Sequence, residues 1–460
     1  MAGSNPLVFL RCSVFTVCFA LLLAWVAPRI VPAPRVYAQP AQIQAPSQAA
    51  PITAPAYSLP PAKLAQAVAL SRIRNVMDIV GGLWGIALLW LLLSTRLAAR
   101  LEAWAESRSQ RRWLQGAWFF AVLVVLGTLA TLPLDWFSQL MEKSYQISVE
   151  SWGIWLGDEA KSLALSLVFA VPILLLFNWI VRRWPRRYWF GAWLATLPLL
   201  VFSIFVSPLL SPLFNTFEPL QKNHALLVER LEAVVARTGI GIPPSRMFLM
   251  KASEKYNGIN AYVTGIGVTK RYVMWDTATD RLPEDEVLFI FGHESGHYVL
   301  HHIPKLIAGL SIGLFFVYWG CAALAGWLAR RFGQRWGLLK QEDPTQIETP
   351  LATRTGFVVL LLAASIANFA LEPISNGFSR HFEHQADVYG QEAIHGIVAD
   401  PQTTAVSAFN HLGEAWLEDP NPSPFIEFWE FNHPSVQTRA NFARGYNPWA
   451  NGGHGEYFPK

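Results

Sequence analysis

Long apolar runs alternate with short polar connections along most of this chain. Runs long enough to cross a bilayer lie at residues 7–27, 79–95, 114–132, 162–181, 190–210, 303–328 and 355–371. A transmembrane helix needs about 20 residues, with a range near 17–25, so the 79–95 run is the marginal one. The pattern predicts a mainly α-helical, multi-pass membrane protein with about seven transmembrane helices.

Two stretches interrupt this pattern and have the character of soluble protein. Residues 211–302 contain strand-like runs such as Arg246–Met250 and Arg271–Trp275, and residues 372–460 read as helices broken by prolines. We therefore expect a small α+β domain assembled from both stretches. The predicted organisation begins with an N-terminal apolar segment over 1–38 and a segment rich in Pro and Ala over 39–78. Membrane helices follow over 79–210, the first soluble part over 211–302, two membrane helices over 303–371, and the second soluble part over 372–460.

Residues 1–38 allow two interpretations. Arg11 precedes an apolar stretch and Val36-Tyr37-Ala38 precedes Gln39, which is typical of a secretory signal peptide with its cleavage site. The apolar stretch is long for a signal, so it could equally remain as a first transmembrane helix. Residues 39–78 begin rich in Pro and Ala, which predicts an extended extracytoplasmic segment.

Composition agrees with a chain embedded in lipid. Hydrophobic residues make up 52% and charged residues 15%, whereas soluble domains carry about 25% charged residues. The net charge is only +4 and no basic face with interleaved aromatics is evident, so no nucleic-acid partner is expected. Cys12, Cys18 and Cys321 all lie in apolar stretches and give neither a disulfide framework nor a cysteine zinc site.

Arginine clusters predict the orientation in the membrane. They lie in the loops 96–113, 182–188 and 329–354, which fall on one side when the spans are counted. The opposing loop 133–160 has a single cation, although residues 29–78 on that side carry five. The positive-inside rule then places the arginine loops in the cytoplasm and both soluble parts outside it.

His293-Glu294-Ser295-Gly296-His297 fits the pattern H-E-x-x-H. On a helix, residues four apart lie about 40° apart in projection and roughly 6 Å along the axis, so both imidazoles can grip one zinc ion. Glu294 projects about 100° away and can act as general base toward a zinc-activated water that hydrolyses a peptide bond. The alternative is a polar helix surface with unrelated histidines. Leu288–Phe291 predicts a buried helix instead, where unpaired imidazoles would be costly.

A catalytic zinc requires a third protein ligand and one open position. The segment Ser379–Asp387 offers Glu383, His384 and Asp387. Glu383 and Asp387 are four residues apart, so one could bind zinc while the other orients a ligating histidine. Spacing does not choose between Glu383 and His384.

Four further motifs, in order, resemble those of the type I CAAX prenyl proteases, which are integral-membrane zinc peptidases of the gluzincin class. They are Pro212 to Leu220 (P-x-F-x-x-F-x-P-L), Asn260 to Gly265 (N-A-Y-x-x-G), Ser379 to Asp387 (S-R-x-x-E-x-x-A-D) and His433 to Arg439 (H-P-x-x-x-x-R). The resemblance covers about residues 60 to 445. It implies a zincin-like metalloprotease domain attached to the membrane helices.

The resemblance also implies residue roles. Glu383 would be the third ligand of one Zn²⁺ per chain, beside His293 and His297. The other implied roles are support of a ligating histidine by Asp387 and Arg439, oxyanion stabilisation by His433, and pairing of an edge strand with peptide substrate by Asn260, Ala261 and Tyr262. The expected partners are a peptide or membrane-associated protein substrate and the lipid bilayer.

Two features depart from the eukaryotic members, whose site faces the cytosol and whose substrates are farnesylated C-terminal peptides. The arginine loops place this site on the opposite side, and only Asp276 to Glu286 link the N-A-Y strand region to the zinc helix. Both features indicate a homologue in a bacterial inner membrane. Competing hypotheses are a general quality-control zinc protease for membrane proteins, and a non-catalytic zinc-binding scaffold whose metal would be closed by four protein ligands.

His301 and His302 follow the zinc motif. Each is expected to lie near the membrane boundary rather than to bind metal, and the zinc helix is expected to run directly into the 303–328 membrane helix.

Overall fold

A computed structural model describes residues 55–338 and 350–459, which form long helices and one small sheet. The helices are α1 (Pro61–Ser94), α2 (Leu97–Arg108), α3 (Arg112–Ser144), α4 (Trp152–Arg183), α5 (Tyr188–Leu210), α6 (Ala225–Thr238), α7 (Asp276–Arg281), α8 (Glu284–Val299), α9 (His302–Trp336), α10 (Arg354–Ala393), α11 (Pro401–Trp416), α12 (Pro424–Trp429) and α13 (Val436–Gly445). The strands are β1 (Phe217–Pro219), β2 (Met247–Met250), β3 (Ala261–Thr264) and β4 (Arg271–Trp275). Short 3-10 turns connect several of them.

Six helices of the described ranges are long and apolar enough to cross a membrane, namely α1, α3, α4, α5, α9 and α10. They coincide with six of the seven predicted spans and confirm a mainly α-helical, multi-pass membrane protein. The remaining predicted span, 7–27, lies outside the described residues.

Helix α1 begins at Pro61 rather than near residue 79. Its polar first half rests on α11, where Lys63 pairs with Glu414 and Arg74 Nη1 donates to the Trp416 carbonyl at 2.9 Å. The apolar run marked only the part of α1 suited to lipid, because hydrophobicity reports the surroundings of a helix and not its first residue.

Helix α10 joins the membrane region to the soluble region without interruption. It begins at Arg354, where the Thr353 side chain caps the Gly356 amide, and it continues through Pro373 to Ala393. The predicted boundary between residues 371 and 372 therefore falls inside one helix. The second half of α10 carries charged residues, so the hydrophobic pattern of the sequence ends inside the helix and predicts a boundary there.

The soluble region contains a four-stranded sheet of order β1-β2-β4-β3. Strands β2 and β4 are parallel and the two outer strands are antiparallel to their neighbours. Helix α8 packs against this sheet through buried aromatic residues, with the Phe291 and Tyr272 rings 4.7 Å apart. The predicted α+β domain is present, and β3 is an edge strand.

Helices α8 and α9 are separate, so the expectation of one continuous helix was wrong. His301 lies between them with φ 58°, in the left-handed region that ends a helix. The chain changes direction there, and His302 turns back toward α8.

Candidate metal centre

Helices α8 and α10 bring three potential ligands together. His293 and His297 share one face of α8, and their Nε2 atoms are 3.2 Å apart. Glu383 on α10 places Oε2 at 3.3 Å from His293 Nε2 and Oε1 at 3.6 Å from His297 Nε2. The three residues offer ligand atoms that all lie within 4.8 Å of one another.

Glycines allow the two helices to approach this closely. A Cβ on Gly390 would lie 2.8 Å from the His293 backbone nitrogen, and one on Gly296 would lie 3.0 Å from Tyr389 Cβ. Side chains at these two positions would push α10 away from α8. The glycines therefore help to set the distance between Glu383 and the two histidines.

The donor set fits a zinc ion. His293 Nδ1 lies 2.9 Å from Asp387 Oδ1, and the opposite ring nitrogen, Nε2, faces Glu383. Glu383 Oε2 is buried and has no hydrogen bond within the described ranges. Two imidazole nitrogens and a carboxylate oxygen are a common protein set for catalytic zinc, and they leave a fourth position open.

Asp387 is itself fixed by Arg439 on α13. Arg439 Nε donates to Asp387 Oδ2 at 2.9 Å, and Arg439 Nη2 donates to Oδ1 at 2.5 Å. This two-pronged contact is buried, and it neutralises the Asp387 charge while orienting the oxygen that holds His293. Burial alone would lower the pKa of Arg439, but Asp387 raises it above the usual value.

Glu294 lies between the ligand cluster and the edge strand. The Val263 amide of β3 donates to Glu294 Oε2 at 3.4 Å. Burial raises the pKa of Glu294 to about 7, although His293 pulls it in the opposite direction. Burial lowers the pKa of His297 to about 3, so this imidazole stays neutral and able to bind metal.

His433 approaches the cluster from the loop between α12 and α13. Its Nε2 lies 3.1 Å from Glu383 Oε1 and its Nδ1 lies 2.6 Å from Asn432 Oδ1. Helix α10 holds this loop in place, because Arg380 donates to the Glu427 and Phe431 carbonyls. The sequence motif contained Arg380, but its contact with the His433 loop was not predicted.

The predicted substrate-binding residues lie at the start of β3. Asn260 accepts a hydrogen bond from the Trp275 amide at 3.0 Å, and the side chains of Ala261 and Tyr262 are buried. Backbone groups of a strand point alternately to either side. The Ala261 and Val263 amides therefore face the free edge beside Glu294, and Val263 was missing from the prediction.

Other neighbours of the centre were also missed. His302 Nδ1 lies 3.1 Å from His297 Nδ1, and His302 Nε2 lies 3.1 Å from Gln385 Oε1. On a continuous helix His302 would point elsewhere, so only the break at His301 could have indicated these contacts. His384 is exposed and packs on Phe442 with ring centroids 4.5 Å apart, whereas its neighbour Glu383 enters the ligand cluster.

Known proteins resemble this chain over most of its length. Residues 42–216 match the family described as CAAX prenyl protease N-terminal, five membrane helices, and residues 221–447 match peptidase family M48. The uncharacterized metalloprotease YhfN of Bacillus subtilis is 33% identical over 85% of this chain and 87% of its own length. CAAX prenyl protease 1 of Saccharomyces cerevisiae is 25% identical over 71% of each chain.

The crystal structure of S. mikatae Ste24p has a similar fold. The TM-score is 0.68 at 22% sequence identity, and the similarity covers 83% of this chain and 90% of that chain. These relationships do not favour a non-catalytic scaffold. The chain belongs to peptidase family M48 and is a multi-pass membrane metalloprotease.

Proposed function

We propose that the protein is a zinc-dependent endopeptidase that cleaves membrane-associated or extended polypeptides. One Zn²⁺ per chain would be held by His293, His297 and Glu383. The observation that carries this proposal is the convergence of these three side chains beside Glu294 and the free edge of β3. A structural zinc site would be closed by a fourth protein ligand, and within the described ranges the three-residue group has no fourth Cys, His, Asp or Glu.

When bound, Zn²⁺ supplies a Lewis acid that acidifies water and polarises a peptide carbonyl. Glu294 is placed to accept a proton from the attacking water and to deliver it to the leaving amine. Its pKa of about 7 suits both transfers, because a general base works best when its pKa lies near the working pH. Val263 orients the Glu294 carboxylate through the backbone amide.

His433 is proposed to stabilise the oxyanion that forms as water adds to the carbonyl. Its Nε2 faces the ligand cluster, and its side chain is buried, where a donor interacts strongly with developing charge. Because Asn432 Oδ1 accepts from Nδ1, donation by Nε2 requires the doubly protonated ring. Asn432 and the loop contacts of Arg380 hold the ring in this position. Asp387 and Arg439 orient His293, and Arg439 Nη2 also lies 3.7 Å from Glu383 Oε2.

The peptide substrate is proposed to add to the sheet at β3. An extended chain pairing with the backbone of Ala261 and with the Val263 carbonyl would lie alongside Glu294, so that a scissile bond is presented to the metal centre. Asn260 and Tyr262 contribute by pairing the other side of β3 with β4. This mode selects for extended backbone and tolerates many side chains.

The catalytic side is proposed to be extracytoplasmic, in a bacterial inner membrane. Arg96 donates to the Arg335 carbonyl at 2.8 Å, and Arg354 bonds to Glu102, so the 96–113 loop and both ends of the 329–354 loop meet at one end of the bundle. Helix α10 starts at that end and carries Glu383 near its other end. Arginine-rich loops favour the cytoplasm, which supports the assignment of the ligand cluster to the opposite side.

The test compares the purified protein with Glu294→Gln, both loaded with zinc. The native protein is expected to cleave an unstructured model peptide, and the variant is expected to bind zinc without cleaving. Native-rate cleavage by a zinc-loaded variant would reject the mechanism. A farnesylated C-terminal peptide and an unfolded membrane protein, offered in parallel, would distinguish CAAX processing, named for several relatives, from general quality control.

A further inference from the structure

His302 connects a proposed zinc ligand to Gln385, which stands at an unspecified position of the S-R-x-x-E-x-x-A-D motif. Its ring is buried, with an exposed fraction of only 3%. One ring nitrogen lies 3.1 Å from His297 Nδ1 and the other lies 3.1 Å from Gln385 Oε1. One face of the ring stacks on Phe382, with centroids 4.6 Å apart.

We propose that His302 and Gln385 form a hydrogen-bonded relay that fixes the tautomer and orientation of His297 for zinc binding. Both are positioning residues that act through His297. The inference rests on the proposed function, because it concerns the state of a ligand to the proposed zinc ion.

The direction of the relay follows from the hydrogen-bonding capacity of each group. The Gln385 Oε1 atom can only accept, so His302 Nε2 carries the proton of that contact. A neutral His302 then has a lone pair on Nδ1, which can accept only from His297 Nδ1. His297 consequently carries its proton on Nδ1 and presents an unprotonated Nε2 to His293 and Glu383.

The reversed arrangement is incompatible with a zinc ligand. If the Gln385 amide donated instead, the His302 proton would sit on Nδ1 and point at His297 Nδ1. His297 would then carry its proton on Nε2, the atom that faces the ligand cluster. A relay that starts from an amide oxygen therefore selects the metal-binding tautomer.

The two histidine ligands are thus supported differently. The Asp387 carboxylate lies directly against His293, with Nδ1 and Oδ1 2.9 Å apart, whereas His297 donates to a neutral ring backed by a neutral amide. Support of both ligands by carboxylates would add negative charge around the metal and weaken its electrophilicity. The relay fixes the second ligand without that added charge.

Two substitutions at His302 separate a relay from simple packing. His302→Asn keeps an acceptor near the position of Nδ1 but loses the ring, and His302→Phe keeps the ring on Phe382 but loses the acceptor. Zinc affinity, measured by competition with a chromophoric chelator, is expected to fall about 10–100-fold in His302→Phe and less in His302→Asn. A packing role predicts the opposite order, and that order would overturn the relay.

A double-mutant cycle tests the part played by Gln385. Gln385→Leu is expected to weaken zinc binding in the native background and to have little further effect in His302→Phe, because its action passes through His302. Gln385→Glu keeps an acceptor and should lose less zinc affinity than Gln385→Leu. Additive losses from Gln385→Leu and His302→Phe would reject the relay. If His302→Phe does not fold, the zinc affinities of Gln385→Leu and Gln385→Glu are compared instead. Equal affinities in these two variants would reject the relay.

Two controls keep this test separate from the proposed function. His384→Phe makes the same change at an exposed histidine of α10 and should leave zinc affinity unchanged. His293→Ala should lose zinc. Native zinc affinity in His293→Ala contradicts the proposed metal site itself, whereas loss there together with native affinity in His302→Phe contradicts only the relay.

Discussion

Helix α10 carries a buried charged cluster at each end, and the two differ in how completely their polar atoms are used. At the first end, Arg354 donates to Glu102, Glu106, Gln115 and the Arg112 carbonyl. Glu102 in turn accepts from the Arg354 and Thr355 amides and from the Thr355 hydroxyl. Both Glu102 oxygens therefore have partners inside the fold, and among the described residues only Nε of the Arg354 guanidinium lacks a hydrogen bond.

At the other end, some buried polar atoms of the cluster have no hydrogen-bond partner in the described part of the chain. Asp387 has Arg439 and His293 as partners, but Glu383 Oε2 has no hydrogen bond and two imidazole Nε2 atoms converge on the same space. Leaving buried polar atoms without partners costs free energy. The first cluster is therefore suited to holding helices together, and the second is suited to a cation that would supply the missing interactions.

Removal of a ligand should have the largest effect. His293→Ala and Glu383→Ala are each expected to lose both zinc and peptide cleavage, because two ligands do not hold a catalytic zinc firmly. Metal content by mass spectrometry and cleavage of a model peptide are the measurements. One zinc per chain in Glu383→Ala would contradict the proposal that the cluster at the Glu383 end of α10 binds the metal.

Glu294→Gln should separate chemistry from metal binding. The amide cannot take a proton from water, so the rate is expected to fall by about 10²–10⁴-fold, while the zinc content stays at one per chain. The hydrogen bond from Val263 can persist to the amide oxygen. A variant that also lost its zinc would assign Glu294 to the metal and not to the proton.

His433→Ala should reduce the rate less than Glu294→Gln. Loss of one oxyanion donor is expected to lower kcat about 10²–10³-fold with little change in KM, because the interaction forms only in the transition state. Asn432→Ala, which removes a contact of the ring without removing the ring, is the matched variant. A pure KM effect in His433→Ala would place this histidine in substrate binding.

The pH dependence of kcat/KM should follow the ionisation of Glu294. A general base must be ionised, and burial raises the pKa of Glu294 to about 7, so kcat/KM should fall as the pH falls through about 7. A bound dication would move this midpoint downward. An acid limb centred well above 7 would contradict the assignment, as would a similar limb in the residual activity of Glu294→Gln.

Substitution in the Arg354–Glu102 cluster at the first end of α10 should lower stability and leave activity almost unchanged. Glu102→Gln removes a charged acceptor of Arg354, and we expect the free energy of unfolding to fall by about 1–3 kcal/mol. Thermal unfolding in detergent measures this change. Zinc content and cleavage rate per folded molecule should remain native, in contrast to Glu383→Ala at the other end of α10.

The sequence predicted the parts of the fold that depend on local pattern. Apolar runs located the membrane helices, and the spacing of His293 and His297 placed both on one face of α8. The family resemblance favoured Glu383 over His384, and the structure places Glu383 in the cluster. The assignment of roles to these residues remains a prediction.

Features that depend on contacts between distant parts of the chain could not be predicted from the sequence. The polar start of α1 is helical because it packs on α11, more than 300 residues away in the chain. The contact of His302 with His297 depends on the left-handed residue His301, and the contact of Arg380 with the His433 loop depends on the placement of α12. None of these has a periodic signal that could be read along the chain.

X-ray absorption at the zinc edge of the purified protein tests the central claim most directly. We expect one zinc per chain with two imidazole nitrogens at about 2.0–2.1 Å, one carboxylate at about 2.0–2.2 Å and one position not filled by protein. This signal should be lost in Glu383→Ala. A zinc enclosed by four protein ligands, or one that persists unchanged in Glu383→Ala, would contradict the claim.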